Sequence, residues 1–251
     1  MTLPKAFFLC AAGLVALVLL SAVVKPPSNG FPFQVGEKLS YRISWSKIVD
    51  AGTAELSATA EEGKPNSLRL EARAVTSAAV AANYPFSDDF VSHFDTLTRS
   101  PWLYEKNFTE RKRVVRDRIA FNQAQRTALF TNSRNQSKQI PIELGTQDPV
   151  SSLYALRSLG LTPGMQVEFP VLDGGILYTL EARVVGAELI TIKLGSFNAY
   201  RVDVRLRRES GALANRSITA WIGTDSRRLP VLASVALPIG AAVIELSGVA
   251  P

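Results

Sequence analysis

The chain reads as a mainly β protein: a curved antiparallel sheet, or an open barrel or sandwich, with one short helix near 149–159 and an N-terminal apolar helix. Three observations predict this. From Gly36 onward, apolar and polar residues alternate with a period of two in run after run. Turn-forming clusters such as Gly63-Lys64-Pro65-Asn66 separate the runs. Only one later stretch carries helical spacing with both a start and a stop signal.

The first element is the run from Ala6 to Val24, which holds no charge and lies between Lys5 and Lys25-Pro26-Pro27. A helix of about 20 apolar residues spans a bilayer core, whereas a signal-peptide core is shorter and ends at a small-x-small site. Ser21 and Ala22 are small, but Leu19 and Leu20 stand two positions before them. Residues 1–25 are therefore expected to be a retained membrane anchor or a cleaved signal. Either one directs the remainder to the periplasm or cell envelope, the retained form leaving it attached to the inner membrane through residues 6–24. Cys10, the only cysteine, lies inside this run, so the exported part has no disulfide to rely on. Residues 26–35 (PPSNGFPFQV) are too rich in Pro, Asn and Gly for regular structure and read as a Pro-rich tether.

Residues 36–251 are expected to form one β-rich domain, with two lobes joined near 133–164 as an open alternative. Leu39, Tyr41, Ile43 and Trp45 share one strand face, and Asp50-Ala51-Gly52 reads as a turn. The next strand places Ala54, Leu56, Ala58 and Ala60 inside, and the third places Leu68, Leu70, Ala72 and Ala74 inside. Three such strands joined by short turns indicate an antiparallel meander with one wet face. Residues 75–86 suit a short helix or a covering loop. Strands follow at 87–96, 101–109, 111–121 and 126–132, then a polar loop at 133–139. The helix begins at Asp148, a good N-cap, with Pro149 at the first helical position; Leu153, Leu156 and Leu159 form its stripe and Gly160 ends it. Further strands are expected at 166–172, 176–187, 189–194, 197–208, 216–223, 228–235 and 240–247.

Composition narrows the class. The chain has 251 residues, 47% hydrophobic and 20% charged, which suits a folded domain rather than a disordered one. The formal charge is +6, and removing Lys5 and Lys25 leaves +4, a mild excess that suits a solvated basic surface or contact with anionic lipid or polysaccharide.

Three stretches carry a resemblance. The first runs from Gly36-Glu37-Lys38-Leu39-Ser40-Tyr41 through Trp45 to Asp50-Ala51-Gly52-Thr53-Ala54. The second is Asp148-Pro149-Val150-Ser151-Ser152-Leu153-Tyr154, then Pro163-Gly164 and Phe169-Pro170-Val171-Leu172-Asp173-Gly174-Gly175. The third is Trp221-Ile222-Gly223-Thr224-Asp225-Ser226-Arg227-Arg228-Leu229-Pro230-Val231. In this order and spacing the chain resembles the bacterial domain-of-unknown-function 3108 family over most of residues 36–248. The resemblance implies an exported, β-rich envelope protein and brings no catalytic or binding residues with it.

The residues themselves suggest little chemistry. His93 is the only histidine, and strand alternation groups it with Asp89 and Asp95 as a weak cation site or, more simply, a solvated strand face with Phe90 and Phe94 supplying the core. No nucleophile elbow, zinc-protease motif or phosphate loop occurs, and Asp173-Gly174-Gly175 reads as a turn. No cofactor, metal or catalytic residue is assigned. Arg111, Arg113, Arg116 and Arg118 form the densest basic stretch, but alternation puts Arg111 and Arg113 on one face and Arg116 and Arg118 on the other. That pattern suits a guarded edge strand or a contact with lipid headgroups or an anionic glycan, and not nucleic acid, since no stacking aromatics are interleaved. The small side chains are the better clue. Ala54, Ala58, Ala60, Ala72 and Ala74 either receive a closely packed element or line a cavity for an apolar molecule with Tyr41 and Trp45. The expectation is a non-catalytic envelope protein that binds an apolar or amphipathic envelope component. The alternatives are a protein-protein scaffold using strand edges and a hydrolase of envelope polysaccharide.

Overall fold

A computed structural model of the chain describes residues 30–46, 49–82, 85–110, 113–208, 217–237 and 240–250. The apolar run at 6–24 and the first part of the expected tether lie outside these residues. Among the described residues no helix is long and apolar enough to cross a membrane.

The strands are β1 (Lys38–Trp45), β2 (Val49–Ala60), β3 (Ser67–Thr76), β4 (Phe86–Asp95), β5 (Ser100–Glu110), β6 (Arg113–Asn122), β7 (Thr127–Thr131), β8 (Ser137–Pro141), β9 (Gln166–Asp173), β10 (Ile176–Ile192), β11 (Gly195–Arg208), β12 (Ile218–Gly223), β13 (Pro230–Leu237) and β14 (Gly240–Ala250). Among the described residues two helices interrupt them, α1 (Ala78–Ala81) and α2 (Pro149–Arg157). All 14 strands form one sheet in the order β8-β7-β6-β5-β4-β3-β2-β1-β14-β13-β12-β11-β10-β9. Every neighbouring pair is antiparallel. The first strand pairs with the last at the centre, with Leu39 opposite Val249 and Tyr41 opposite Leu246. The edges come from the middle of the sequence.

The sheet curls so that its two ends approach without pairing. Gln147, just after β8, bridges Val171 of β9, donating its backbone N–H to the Pro170 carbonyl at 2.9 Å and accepting from Leu172 at 2.8 Å. At the β9–β10 turn, a Cβ on Gly175 would lie 2.8 Å from the Phe130 ring of β7, a close approach that only glycine permits. A groove of about 360 Å³ follows this seam, between Lys138 and Ile140 of β8 and Ile176 and Leu177 of β10.

Helix α2 fills the concave side. Asp148 caps it by accepting the N–H groups of Val150 and Ser151, both at 2.8 Å, and the Ser151 hydroxyl accepts from the Asp148 N–H at 2.9 Å. Val150 and Tyr154 face one core with Leu70, Phe94, Ile119 and Phe121, while Leu156 faces a second with Leu180, Val184, Val202 and Ile222. A third, between them, holds Leu39, Tyr41, Ile192, Val231 and Leu246. The helix thus joins the cores of two hairpin series.

Several expected boundaries move. Asp50-Ala51-Gly52 lies within β2, and the reversal falls earlier, around Ser46. Gly52 is required by crowding instead: a Cβ there would meet the Val75 carbonyl oxygen at 2.1 Å. Ala60, expected inside, is exposed at the end of β2. The strands expected at 176–187 and 189–194 are one, β10, which absorbs a bulge between Val184 and Gly186. β8 begins inside the expected polar loop. Residues 30–35 have no regular structure, yet Phe33 is buried and packs edge-on against Tyr154 at 4.7 Å, so this part of the tether belongs to the folded body.

Candidate functional site

In an antiparallel sheet, residues directly opposite each other share a face. This rule follows the concave face outward from the core. Leu70 faces Ser92, Ser92 faces Tyr104 and Tyr104 faces Ile119; all four are buried. One step along, Ala72 faces Phe90, Phe90 faces Lys106 and Lys106 faces Asp117. Another step brings Ala74, Asp88, Phe108 and Val115 into line. These last two rows are only half-buried. Ala72 and Phe90 border the core, and Phe86 and Phe108 extend the surface with ring centroids 6.3 Å apart.

A lysine sits in this apolar surface. Lys106 Nζ donates to both carboxylate oxygens of Asp173 at 3.0 Å and lies 5.6 Å from the Phe90 ring centroid. Asp173 comes from β9, so the contact crosses the seam and depends on the curl of the sheet. Asp88 Oδ1 is buried without a hydrogen-bond partner, and burial pushes the Asp88 carboxyl up to about 6 against the pull of Lys106. Burial raises Asp117 as well, opposed by Lys106.

Beneath the lysine, Tyr104 is wholly buried and its hydroxyl has no partner. Burial raises this phenol strongly, and the acids Asp173, Asp148, Asp88 and Asp117 add to the effect. Asp148 is sealed too, with Oδ2 accepting from the Ser92 hydroxyl at 2.5 Å and burial pushing it up to about 6. Its oxygens are committed to Ser92 and to the helix cap.

The residues expected to line a cavity do not act as one group. Ala58 is fully buried beneath α2, where the Tyr154 hydroxyl donates to the Ser57 carbonyl at 3.2 Å. A larger side chain there would push the helix away. Tyr41 is buried in the central core, its hydroxyl without a partner. Ala54 and Ala72 are half-buried on the same face, and Trp45 is half-buried at the far end of β1. Ala72 and Ala74 lie in the surface around Lys106, and Ala54, opposite Ala74, borders it.

The basic stretch is likewise divided. Arg111 lies outside the described residues. Arg113 is exposed on the concave side near Asp117, whereas Arg116 and Arg118 are exposed on the convex side, Arg118 being 3.7 Å from Glu105. The expected edge strand is an interior one, but β7 is so short that it pairs only Arg118–Asn122. The preceding half of β6 behaves as a local edge, patched where the Arg116 N–H donates to the Ser133 hydroxyl at 2.7 Å.

His93 is not on a solvated face. It is buried, bonded to Glu61 at 2.7 Å and packed on Trp102 with centroids 4.9 Å apart. The Glu61 turn folds over it, an event outside the strand pattern. Asp89 pairs with Arg73, and Asp95 accepts the N–H groups of Leu97 and Thr98. Among the described residues no group of three His, Cys, Asp or Glu side chains is placed to hold a metal ion.

The Lys106 cluster was not among the residues expected from sequence. Its signal is nevertheless present: Phe86-x-Asp88-x-Phe90, Tyr104-x-Lys106-x-Phe108 and Val115-x-Asp117-x-Ile119 each place a charge at an apolar position. Register alone aligns the three.

The family model described as protein of unknown function (DUF3108) matches residues 40–247. No curated protein matches the chain. Among solved structures, the chain is similar to a β-barrel-like protein of the domain of unknown function DUF1849 from Brucella abortus. The two are 8% identical, with 86% of this chain and 97% of that chain covered, at a TM-score of 0.59. It is also matched, at a TM-score of 0.39 and 9% identity over 88% of this chain and 99% of the other, to a protein with a YmcC-like fold from Bacteroides fragilis. The first likeness agrees with an open, barrel-like sheet.

Proposed function

We propose, for a chain that belongs to the DUF3108 family of proteins of unknown function, a non-catalytic role in the cell envelope: binding an apolar or amphipathic molecule on the uncovered part of its concave face. One observation carries this reading. Phe86, Phe90, Phe108, Ala72, Ala74 and Val115 form a half-buried apolar surface that continues the core beyond the reach of α2, with Lys106 and its acids set into it. Burial of apolar area drives binding, and a few fixed polar groups orient the ligand. The apolar run at 6–24 supports an envelope location.

The test is native mass spectrometry of full-length protein taken gently from cell envelopes, followed by titration with a fluorescent alkyl probe. Copurifying amphiphile, and probe affinity lowered several-fold in Phe108→Ser, support the proposal. An empty protein that fails to bind the probe overturns it.

A scaffold role is the second reading. Strand β8 ends the sheet, and its unpaired outer side borders the seam groove, where a partner's strand would add.

A further inference from the structure

We infer, resting on the amphiphile-binding reading, that the polar end of the concave site selects a protonated amine head group over a carboxylate. The Lys106 ammonium is already committed to both Asp173 oxygens at 3.0 Å, so it is not free to greet an anion. The acids are less well served. Among the described residues neither Asp88 nor Asp117 has a salt-bridge partner, and Asp88 Oδ1 is buried with no hydrogen bond at all. The Tyr104 hydroxyl, on a side chain 0% exposed, is a second orphan, one row inward from Lys106 and two from Asp88. Such groups need a partner when water is excluded.

The other charges do not change this balance. Asp148 spends its oxygens on Ser92, Val150 and Ser151. Glu110 and Arg113 face each other across β5 and β6 at the outer end of the row. Lys106 attracts both acids but gives its hydrogen bonds to Asp173, so among the described residues neither acid has a charged donor of its own. A primary ammonium has three donors and no acceptor, which suits carboxylate oxygens left without a charged partner. A carboxylate would add a further anion to a half-buried acidic pair. The alkyl tail then lies over Phe90 and between Phe86 and Phe108, where a cation beside an aromatic face is also favoured.

Displacement of a neutral fluorescent alkyl probe from the full-length protein, by decylammonium, decanol and decanoate near neutral pH, tests this. Decylammonium is expected to bind at least about tenfold more tightly than decanoate. Asp88→Asn and Asp117→Asn should each narrow that ratio to about threefold or less, because the amide keeps the shape and loses the charge. Urea midpoints confirm that each variant folds, and either variant alone carries the test. Decanoate binding as tightly as decylammonium, with decanol also bound, overturns the head-group inference and leaves the apolar site standing. Failure of all three ligands to bind overturns both.

Discussion

Arg157 and Glu37 form a two-pronged ion pair sealed inside the protein, with Nη1 donating to Oε1 at 2.7 Å and Nη2 to Oε2 at 3.1 Å. Their side chains are 0% and 2% exposed. Arg157 is the last residue of α2, and Glu37 immediately precedes β1. The same guanidinium donates to the carbonyls of Arg228 at 3.1 Å and Arg227 at 3.2 Å, in the loop between β12 and β13. Arg228 reciprocates, donating to the carbonyls of Arg157 and Leu159. One side chain thus holds the helix to both halves of the sheet.

Removing one member of a buried pair strands the other charge. Arg157→Met is expected to cost about 3–5 kcal/mol, and the double change with Glu37→Leu to cost markedly less. Urea unfolding of the three proteins checks this; equal losses in the single and double variants would show that the guanidinium matters only for packing.

Asp148 makes stability fall as pH rises. Its carboxyl is raised by burial from 3.8 to about 6 in the folded protein, so the folded state holds its proton more tightly than the unfolded chain. The stabilisation is complete below about pH 4 and is lost as pH climbs through about 6, a change of about 2–3 kcal/mol. In Asp148→Asn the cap survives and this contribution disappears. The difference in unfolding free energy between the two proteins, followed across that window, should decline with pH; a flat difference would contradict it.

Gly52→Ala forces a methyl to within 2.1 Å of the Val75 carbonyl oxygen, a backbone atom paired into β3. Neither strand can yield without losing ladder bonds. A loss of roughly 2–4 kcal/mol is expected, by analogy with other overpacked positions. Ala51→Gly on the neighbouring residue serves as the comparison and should cost about 1 kcal/mol or less. Thermal or urea midpoints decide it.

Phe33→Ala should destabilise the domain by about 3–5 kcal/mol, as expected for a large buried aromatic. Phe33 packs on Tyr154, and Phe31 lies 6.0 Å from Phe94 in an edge-on arrangement. A tether that merely spaced the domain would tolerate the change, so an unaltered urea midpoint would return residues 30–35 to that role.

Much of the sheet is legible in the sequence because its signal is local. Leu39-x-Tyr41-x-Ile43 and Tyr200-x-Val202-x-Val204 declare their buried faces by alternation alone, and Asp148-Pro149 declares the start of α2. The strand order is not local. Nothing in β1 says that Tyr41 will lie beside Leu246, about two hundred residues away. The Lys106 cluster depends on that kind of information twice over. It needs the register of β4, β5 and β6, and it needs the curl that carries Asp173 to the lysine. His93 fails for a similar reason, since a turn folding over a strand leaves no trace in the strand's own pattern. Phe33 was readable in principle, because two phenylalanines in a spacer are out of place in water.

The pairing of β1 with β14 bears on how the protein folds. Residues 38–141 and 166–250 are each a series of hairpins that can zip from neighbour to neighbour at low entropic cost. Their union is of another kind: Lys38 must meet Ala250 across almost the whole chain. Contacts of such separation form late and slowly. Until they form, each series exposes a long unpaired flank at β1 or β14, the sort of edge that recruits strangers. The centre of the finished sheet is therefore expected to close late, and a chain held unfolded until β14 is available would be spared that hazard.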